Sequence, residues 1–347
     1  MRLISCRIAV TLCLGAALFS EPRRTGSPLE NLPKNIEILT RFGERADFSP
    51  DNRRVAFMAK SFGDAFVIDL STRAIRCLTC GIPGAAFLRV MHLSSGDYLL
   101  IGPERFKDLK TSRGNENELW LLRQAPGSRP VKLGQKMSEG AAVSKKNLTV
   151  SFSETSTQNP QLPPGASRII LADVDLAAGA LRNHRTIYES PDNRCSLEAQ
   201  DFYDNDTKMT FTCYEPKGLA SVWTVDLASR QVMPQSQSIG SYNEVEGIFP
   251  DGLFTCVESD QQAIRAGWSG LFRNIDIWKL KLDGTGKSFT RLTRFNDYEG
   301  WKASNPVVST DGKRMAFQVA RSADEAGVGY GILLYHLDRP AAGRVYP

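Results

Sequence analysis

Two stretches late in the chain set acids beside aromatic rings: "SIGSYNEVEG" (238–247) and "FNDYEGWKASN" (295–305). Carboxylates a few residues from Tyr and Trp suit sugar recognition, a cation, or paired acid and base work on a glycosidic bond. Two neighbouring stretches, "SDQQAIRAGWSGLFRN" from Ser259 and "RSADEAGVGYG" from Arg321, add arginines, a Trp and further acids. The candidate ligand set is Tyr242, Asn243, Glu244, Glu246, Arg265, Trp268, Asp297, Tyr298, Glu299, Trp301, Lys302, Asp324 and Glu325, with Arg273 among them. If the site is catalytic, Glu246 and Glu299 are its acids. The competing reading is that these side chains cap turns, pair with Arg and Lys, and staple neighbouring elements together.

Other chemistries find less support. The histidines are His92, His184 and His336, too scattered for a three-histidine metal site. "GWSG" (267–270) lacks the G-x-S-x-G frame of a serine nucleophile elbow. No phosphate loop or dinucleotide fingerprint occurs, so neither a cofactor nor a metal is expected. The formal charge of +5 is mild for 347 residues and the basic residues are spread out, which argues against nucleic acid.

The beginning of the chain reads as a targeting segment. Leu3–Ser20 is apolar except for Arg7, and Gly15, Ala16, Ala17 and Ser20 suit signal-peptidase cleavage near Ser20. Leu12 stands before Cys13 where a lipoprotein box needs a small residue. The expected organisation is a signal peptide over 1–20, a linker over 21–34 and one folded unit over 35–347, exported to a periplasmic or extracellular space with no membrane span after cleavage. Cys77, Cys80, Cys195, Cys213 and Cys256 remain after that cleavage. In an oxidising compartment their default is disulfides, and an odd count leaves one thiol over. "CLTC" reads as a short bridge or two free thiols. A hairpin turning through "YDND" (203–206) brings Cys195 opposite Cys213, with Cys256 as the alternative partner.

What must position these residues is a repeat. "FSPDNRRVAFMA" (48–59) and "VSTDGKRMAFQVA" (308–320) are near copies, and weaker versions begin at 92, 143, 202 and 248. Each is a turn of Asp, Asn, Gly, Ser or Pro leading into an alternating apolar strand, the signal of a tight hairpin. Each is followed by a further strand, such as "AFVIDL" at 65 or "SVWTVDL" at 221, and most by an outer one, such as "GKSFTRLT" at 286. Six units of four strands without a convincing helix predict an all-β, six-bladed β-propeller of antiparallel blades. The last unit lacks an outer strand, and "NIEILT" (35–40) resembles those of other units, so an N-terminal strand is expected to close the ring.

"ADFSPDNRRVAF" and "ASNPVVSTDGKRMAFQ" resemble the WD-like repeats of TolB-type propellers. The resemblance implies that Asp51-Asn52, Asp251-Gly252 and Asp311-Gly312 make hairpin turns while Phe57 and Phe317 pack between blades. It also implies export and a partner-binding role. No stretch of these residues is expected to form the separate N-terminal α/β domain that TolB carries. In a propeller the loops between second and third strands share a face with the blade-to-blade crossings, and here those loops are long, as in "PERFKDLKTSRGNENE" from Pro103. That face is where function is expected. The reading is a monomeric, non-enzymatic module binding a protein or an envelope or extracellular polysaccharide. The alternative is a glycoside hydrolase or polysaccharide lyase using mouth acids.

Overall fold

A computed structural model describes residues 22–190, 194–236, 240–268, 270–324 and 327–339. The expected signal segment therefore lies outside the described residues. Six four-stranded sheets stand around an axis, five of them built from consecutive strands. The sixth takes Trp301–Val308, Arg314–Arg321 and Ile332–His336 from the C-terminal end and Ile36–Thr40 from the N-terminal end. Ile36 pairs with Tyr335 and Ile38 with Leu333, and His336 Nε2 lies 3.0 Å from Glu37 Oε1. This strand supplies the outer strand of the last blade and ties the two ends of the ring together.

The near-identical phrases are the inner hairpins of blades one and six, and they touch. Asn52 stands at φ +58° and Gly312 at +68°, the left-handed conformation such turns need. The Asn52 side-chain amide donates to Thr310 Oγ1 at 2.8 Å, and the Thr310 backbone N–H returns a bond to Asn52 Oδ1 at 2.9 Å. Phe57 packs with Ala316, Ile332 and Leu334 of blade six, while Phe317 packs with Cys256 and Ile277 of blade five. The core therefore lies between blades, where alternate residues of facing sheets interlock.

Among the described residues helices are confined to loops: Leu109–Thr111 and Gln261–Arg265, with a few single turns. Residues 22–34, read as a linker, lie against blades five and six. The Arg24 N–H donates to the Asp297 carbonyl at 2.8 Å, and Pro28–Glu30 forms a turn of helix. Cys77–Cys80 and Cys195–Cys213 are disulfides, and Cys256 is a buried thiol. The register sets Leu197, not Cys195, opposite Cys213, so the second bridge runs diagonally between residues on one face of the hairpin. The turn lies at 204–207, one residue later than expected, which sets the offset from direct opposition; the bulge between Ala199 and Asp201 takes back one residue of it.

Candidate functional site

The first strand of each blade lines the axis. In blades one, four, five and six this strand carries a register shift at the same point: Glu44/Asp47, Ala199/Asp201, Val245/Ile248 and Ser304/Val307. A bulge turns a polar side chain toward the axis without displacing the apolar alternation on either side. Two bulge residues, Arg45 (φ +52°) and Asn305 (φ +46°), are held in the left-handed region, a strain that surrounding structure must stabilise.

At the loop face these strands open into a cavity of about 610 Å³. Glu44, Glu139, Glu198, Glu244, Glu258 and Asp324 face Arg45, Arg113, Lys302 and Arg321 there, with Tyr214, Tyr242, Phe272 and Tyr330 among them. A tighter space of about 60 Å³ continues down the axis between Arg89, Glu246, Asp201, Asp47 and Lys145. The walls come from the crossings and from loops between second and third strands, Arg113 and Phe272 being of the latter kind. This is the face on which the long loops were expected to act.

Most of the acids are committed. Glu139 is clamped by Arg113, through Nε at 2.5 Å and Nη2 at 2.6 Å, and by Arg45 Nη2 at 2.9 Å. Glu244 accepts from the Tyr214 hydroxyl at 2.5 Å and from the Tyr242 hydroxyl. Glu258 accepts from the Asn305 N–H at 2.5 Å, and Glu246 from the Asn305 amide at 3.0 Å. Glu44 takes the Ser61 hydroxyl at 2.7 Å. Glu198 is different: 4% exposed, it accepts no hydrogen bond and makes no ion pair with the described residues. It lies against Gly140, where a Cβ would stand 2.1 Å from its side chain.

Burial and like charges divide these carboxyls. Burial, then the Glu139 and Glu244 carboxylates, pushes Glu198 up to about 8. Burial and then Glu244 raise Glu258 to about 8 as well, while burial puts Glu246 well above its ordinary value despite Arg89. Burial would also raise Glu139, but Arg113 and Arg45 overcome it and hold that carboxyl at about 2. Burial opposes the charges of Arg89 and Lys302. Glu246 and Glu198 more than offset it for Arg89, whereas Lys302 stays below its ordinary value. At neutral pH the mouth thus holds protonated acids beside ionised ones.

The structure separates the residues expected to converge. Tyr242, Glu244, Lys302 and Asp324 line the mouth. Glu246 lies below it. Asn243 points away, tied to Ser241 Oγ at 2.7 Å and Ser259 Oγ at 2.8 Å. Arg265, Trp268 and Asp297 line another cavity on the flank of blade five, and Arg273 is exposed. Tyr298 and Trp301 are buried, the Trp301 indole donating to the Gly26 carbonyl at 3.0 Å. Glu299 is exposed and does not meet Glu246 in either space. Glu325 and the serine of "GWSG" lie outside the described residues.

Glu44, Glu139, Glu198, Glu258, Arg45, Arg113 and Tyr214 escaped the sequence reading. A signal existed for four positions. Counting back five residues from the hairpin positions 49, 144, 203 and 249 gives Glu44, Glu139, Glu198 and Glu244. The repeat therefore places a glutamate at the same point of blades one, three, four and five. Among candidate cation ligands, donor oxygens of Glu244, Glu246 and Glu258 lie within 4.8 Å of one another. Arg89 and Lys302 already supply positive charge there. Asp64, Cys77 and Cys80 also cluster, but both sulfurs are spent in a disulfide. His92 serves structure: its ring Nδ1 and its backbone N–H meet Asp47 Oδ2 at 3.0 and 2.7 Å, and Lys145 completes the set at 2.7 Å.

Fold and site together define a six-bladed β-propeller, TolB-like in fold, with a polar, acid-rich mouth. No protein-family profile and no curated protein sequence matches the chain. Among solved structures, a putative TolB from Agrobacterium tumefaciens is similar with a TM-score of 0.52 and 16% identity, over 74% of this chain and 78% of that one. TolB from Acinetobacter baumannii aligns with a TM-score of 0.47 and 16% identity, over 79% of this chain and 61% of that one. Oligogalacturonate lyase from Vibrio parahaemolyticus aligns with a TM-score of 0.47 and 9% identity, over 87% and 93%. At such identities the likeness is one of fold.

Proposed function

We propose that this chain is an exported binding or scaffold propeller that takes a cationic segment of a protein partner, or an amine-bearing polysaccharide, into its central mouth. The observation that carries the reading is the mouth's charge balance. Among the described residues six acids face four basic groups, and two of the acids, Glu198 and Glu258, are raised to about 8. An arriving cation favours their ionised forms and replaces protons with a paired charge. Of the remaining acids, Glu44, Glu139 and Glu244 are held by serine, arginine or tyrosine donors, which suits recognition more than turnover. Two disulfides fit an oxidising compartment. No helix among the described residues is long and apolar enough to cross a membrane. A monomer fits a ring whose last blade is closed by its own N-terminal strand.

One observation favours the enzymatic reading. The Glu198 side chain has no hydrogen-bond partner among the described residues and is pushed up to about 8 beside Glu244, as suits a general acid. The acid pair of a glycoside hydrolase or lyase would then be Glu198 and Glu244, since Glu246 and Glu299 do not share a space. Titration with tri-lysine, a glucosamine trimer and its neutral N-acetylated form, with products followed by mass spectrometry, separates the readings. Binding of the cationic probes without turnover supports a binding module. Turnover that Glu198→Gln abolishes supports the enzyme, and equal binding of the neutral trimer refutes the charge argument.

A further inference from the structure

A second cavity, of about 750 Å³, lies between residues 22–24 and the flank of blade five, separate from the mouth. Among the described residues its wall carries Arg23, Arg24, Arg265, Arg291 and Arg294 against one acid, Asp297. Arg291 is spent on Asp276 and Asp297, with Nη2 2.5 and 2.6 Å from their oxygens. Glu299 is close enough to oppose the burial that lowers the Arg23 pKa. Arg24 is engaged as well. Arg265, whose Nη2 donates to Gln261 Oε1 at 3.0 Å, and Arg294, 3.8 Å from Asp297 Oδ2, carry the remaining positive charge of the wall.

The guanidinium groups are held in place. Arg23 lies over the Trp268 ring at 4.1 Å, and its Nη2 donates to Asn274 Oδ1 at 2.9 Å and Asn296 Oδ1 at 3.2 Å. Its Nε is buried without a hydrogen-bond partner. Arg265 stands 5.6 Å from the Trp278 ring, whose indole N–H is fixed by Gln262 at 3.0 Å. Arg294 projects at the rim with a side chain 73% exposed. Fastening the N-terminal segment does not require all of this charge. Backbone bonds from Arg24 N to Asp297 O (2.8 Å) and from Glu299 N to Arg24 O (2.9 Å) already do so.

We infer that this flank cavity is a binding site for an acidic saccharide, one carrying carboxylate or sulfate groups, independent of the mouth. Planar guanidinium forks suit paired oxygens of an oxyanion, and the half-buried Trp268 ring beside Arg23 suits the apolar face of a sugar. The volume falls within the roughly 300–1,000 Å³ of small-ligand sites, so it takes a short oligosaccharide rather than a folded partner.

Calorimetry on the full chain tests this with a uronic-acid trisaccharide, a sulfated disaccharide, the carboxyl-reduced neutral trisaccharide and an acidic peptide of matching charge. The acidic saccharides are expected to bind at least about 10-fold tighter than the neutral one, more weakly as salt rises. Preference between the two acidic saccharides identifies the anionic group. Arg265→Gln combined with Arg294→Gln, both at exposed positions, is expected to cost at least about 10-fold while the melting temperature and tri-lysine binding at the mouth hold. Trp268→Ala should weaken the same interaction, and Glu198→Gln should leave it unchanged. Equal binding of the neutral trisaccharide, indifference to the double substitution, or tighter binding of the acidic peptide would each overturn the inference.

Discussion

Replacing Glu198 by Gln keeps the shape of a buried side chain and removes one titration. Its carboxyl moves from an ordinary 4.5 when unfolded to about 8 when folded. Below pH 4.5 both states carry the proton and the group contributes no pH dependence. Between 4.5 and about 8 the folded state holds a proton that the unfolded state has lost. Stability therefore falls as pH rises, by about 1.4 kcal/mol per pH unit, and levels off above the folded value. From pH 4.5 to 7 the accumulated penalty is roughly 3 kcal/mol. The Gln amide adds its own cost of unsatisfied burial, about 1–3 kcal/mol, but that cost does not vary with pH. The readout is thus the difference between variant and wild type across pH 4.5–8.5, measured by urea unfolding with disulfides intact. Glu198→Gln should gain at least about 2 kcal/mol on wild type over that range. Parallel pH profiles would refute the assignment of Glu198 as a proton-holding acid.

Three other substitutions probe the frame around it. Gly140→Ala places a Cβ at φ +83° and within 2.1 Å of the Glu198 side chain, so a loss of at least about 2 kcal/mol and disturbed mouth binding should appear in melting and titration experiments. Asp47 joins blades one, two and three through His92 and Lys145, and Asp47→Ala should cost about 3–5 kcal/mol by leaving Lys145 without its carboxylate. Burial opposes the Asp47 charge, but Lys145 and His92 prevail and lower its pKa, so its stabilisation is present above 3.8 and lost as pH falls through the folded value. The variant should accordingly show a weaker acid limb in a pH-stability profile. Cys213→Ser opens a loop of sequence separation 18 and should lower stability by about 3 kcal/mol, seen as an earlier unfolding midpoint.

The propeller was legible because its signals are local. Hairpin turns with Asp-Asn or Asp-Gly and period-two strands recur within each unit, and Ile36–Thr40 pairs with the last blade as its outer-strand character implied. The site was legible only as a face. Asn243 and Glu244 are adjacent, so the strand's alternation sends one inward to Ser259 and the other to the axis, and only the register decides which. Trp301 looked available, yet residues 22–34 cover that region and Gly26 caps its indole. That contact comes from the other end of the chain, where no local pattern signals it. Arg113 reaches Glu139 from a long loop whose path the sequence does not specify. The recurring glutamates could have been found by counting from the turns, because the repeat that shapes the blades also sets the height of their inward side chains.

The most direct test of the account is the proton balance of cation binding at the mouth. Calorimetry with tri-lysine at pH 7, repeated in buffers of different ionisation enthalpy, measures protons released per ligand bound. The account predicts release on the order of one proton, reduced in Glu198→Gln and in Glu258→Gln, with affinity rising as pH approaches 8. Binding with no proton release, or release unchanged in both variants, would contradict it.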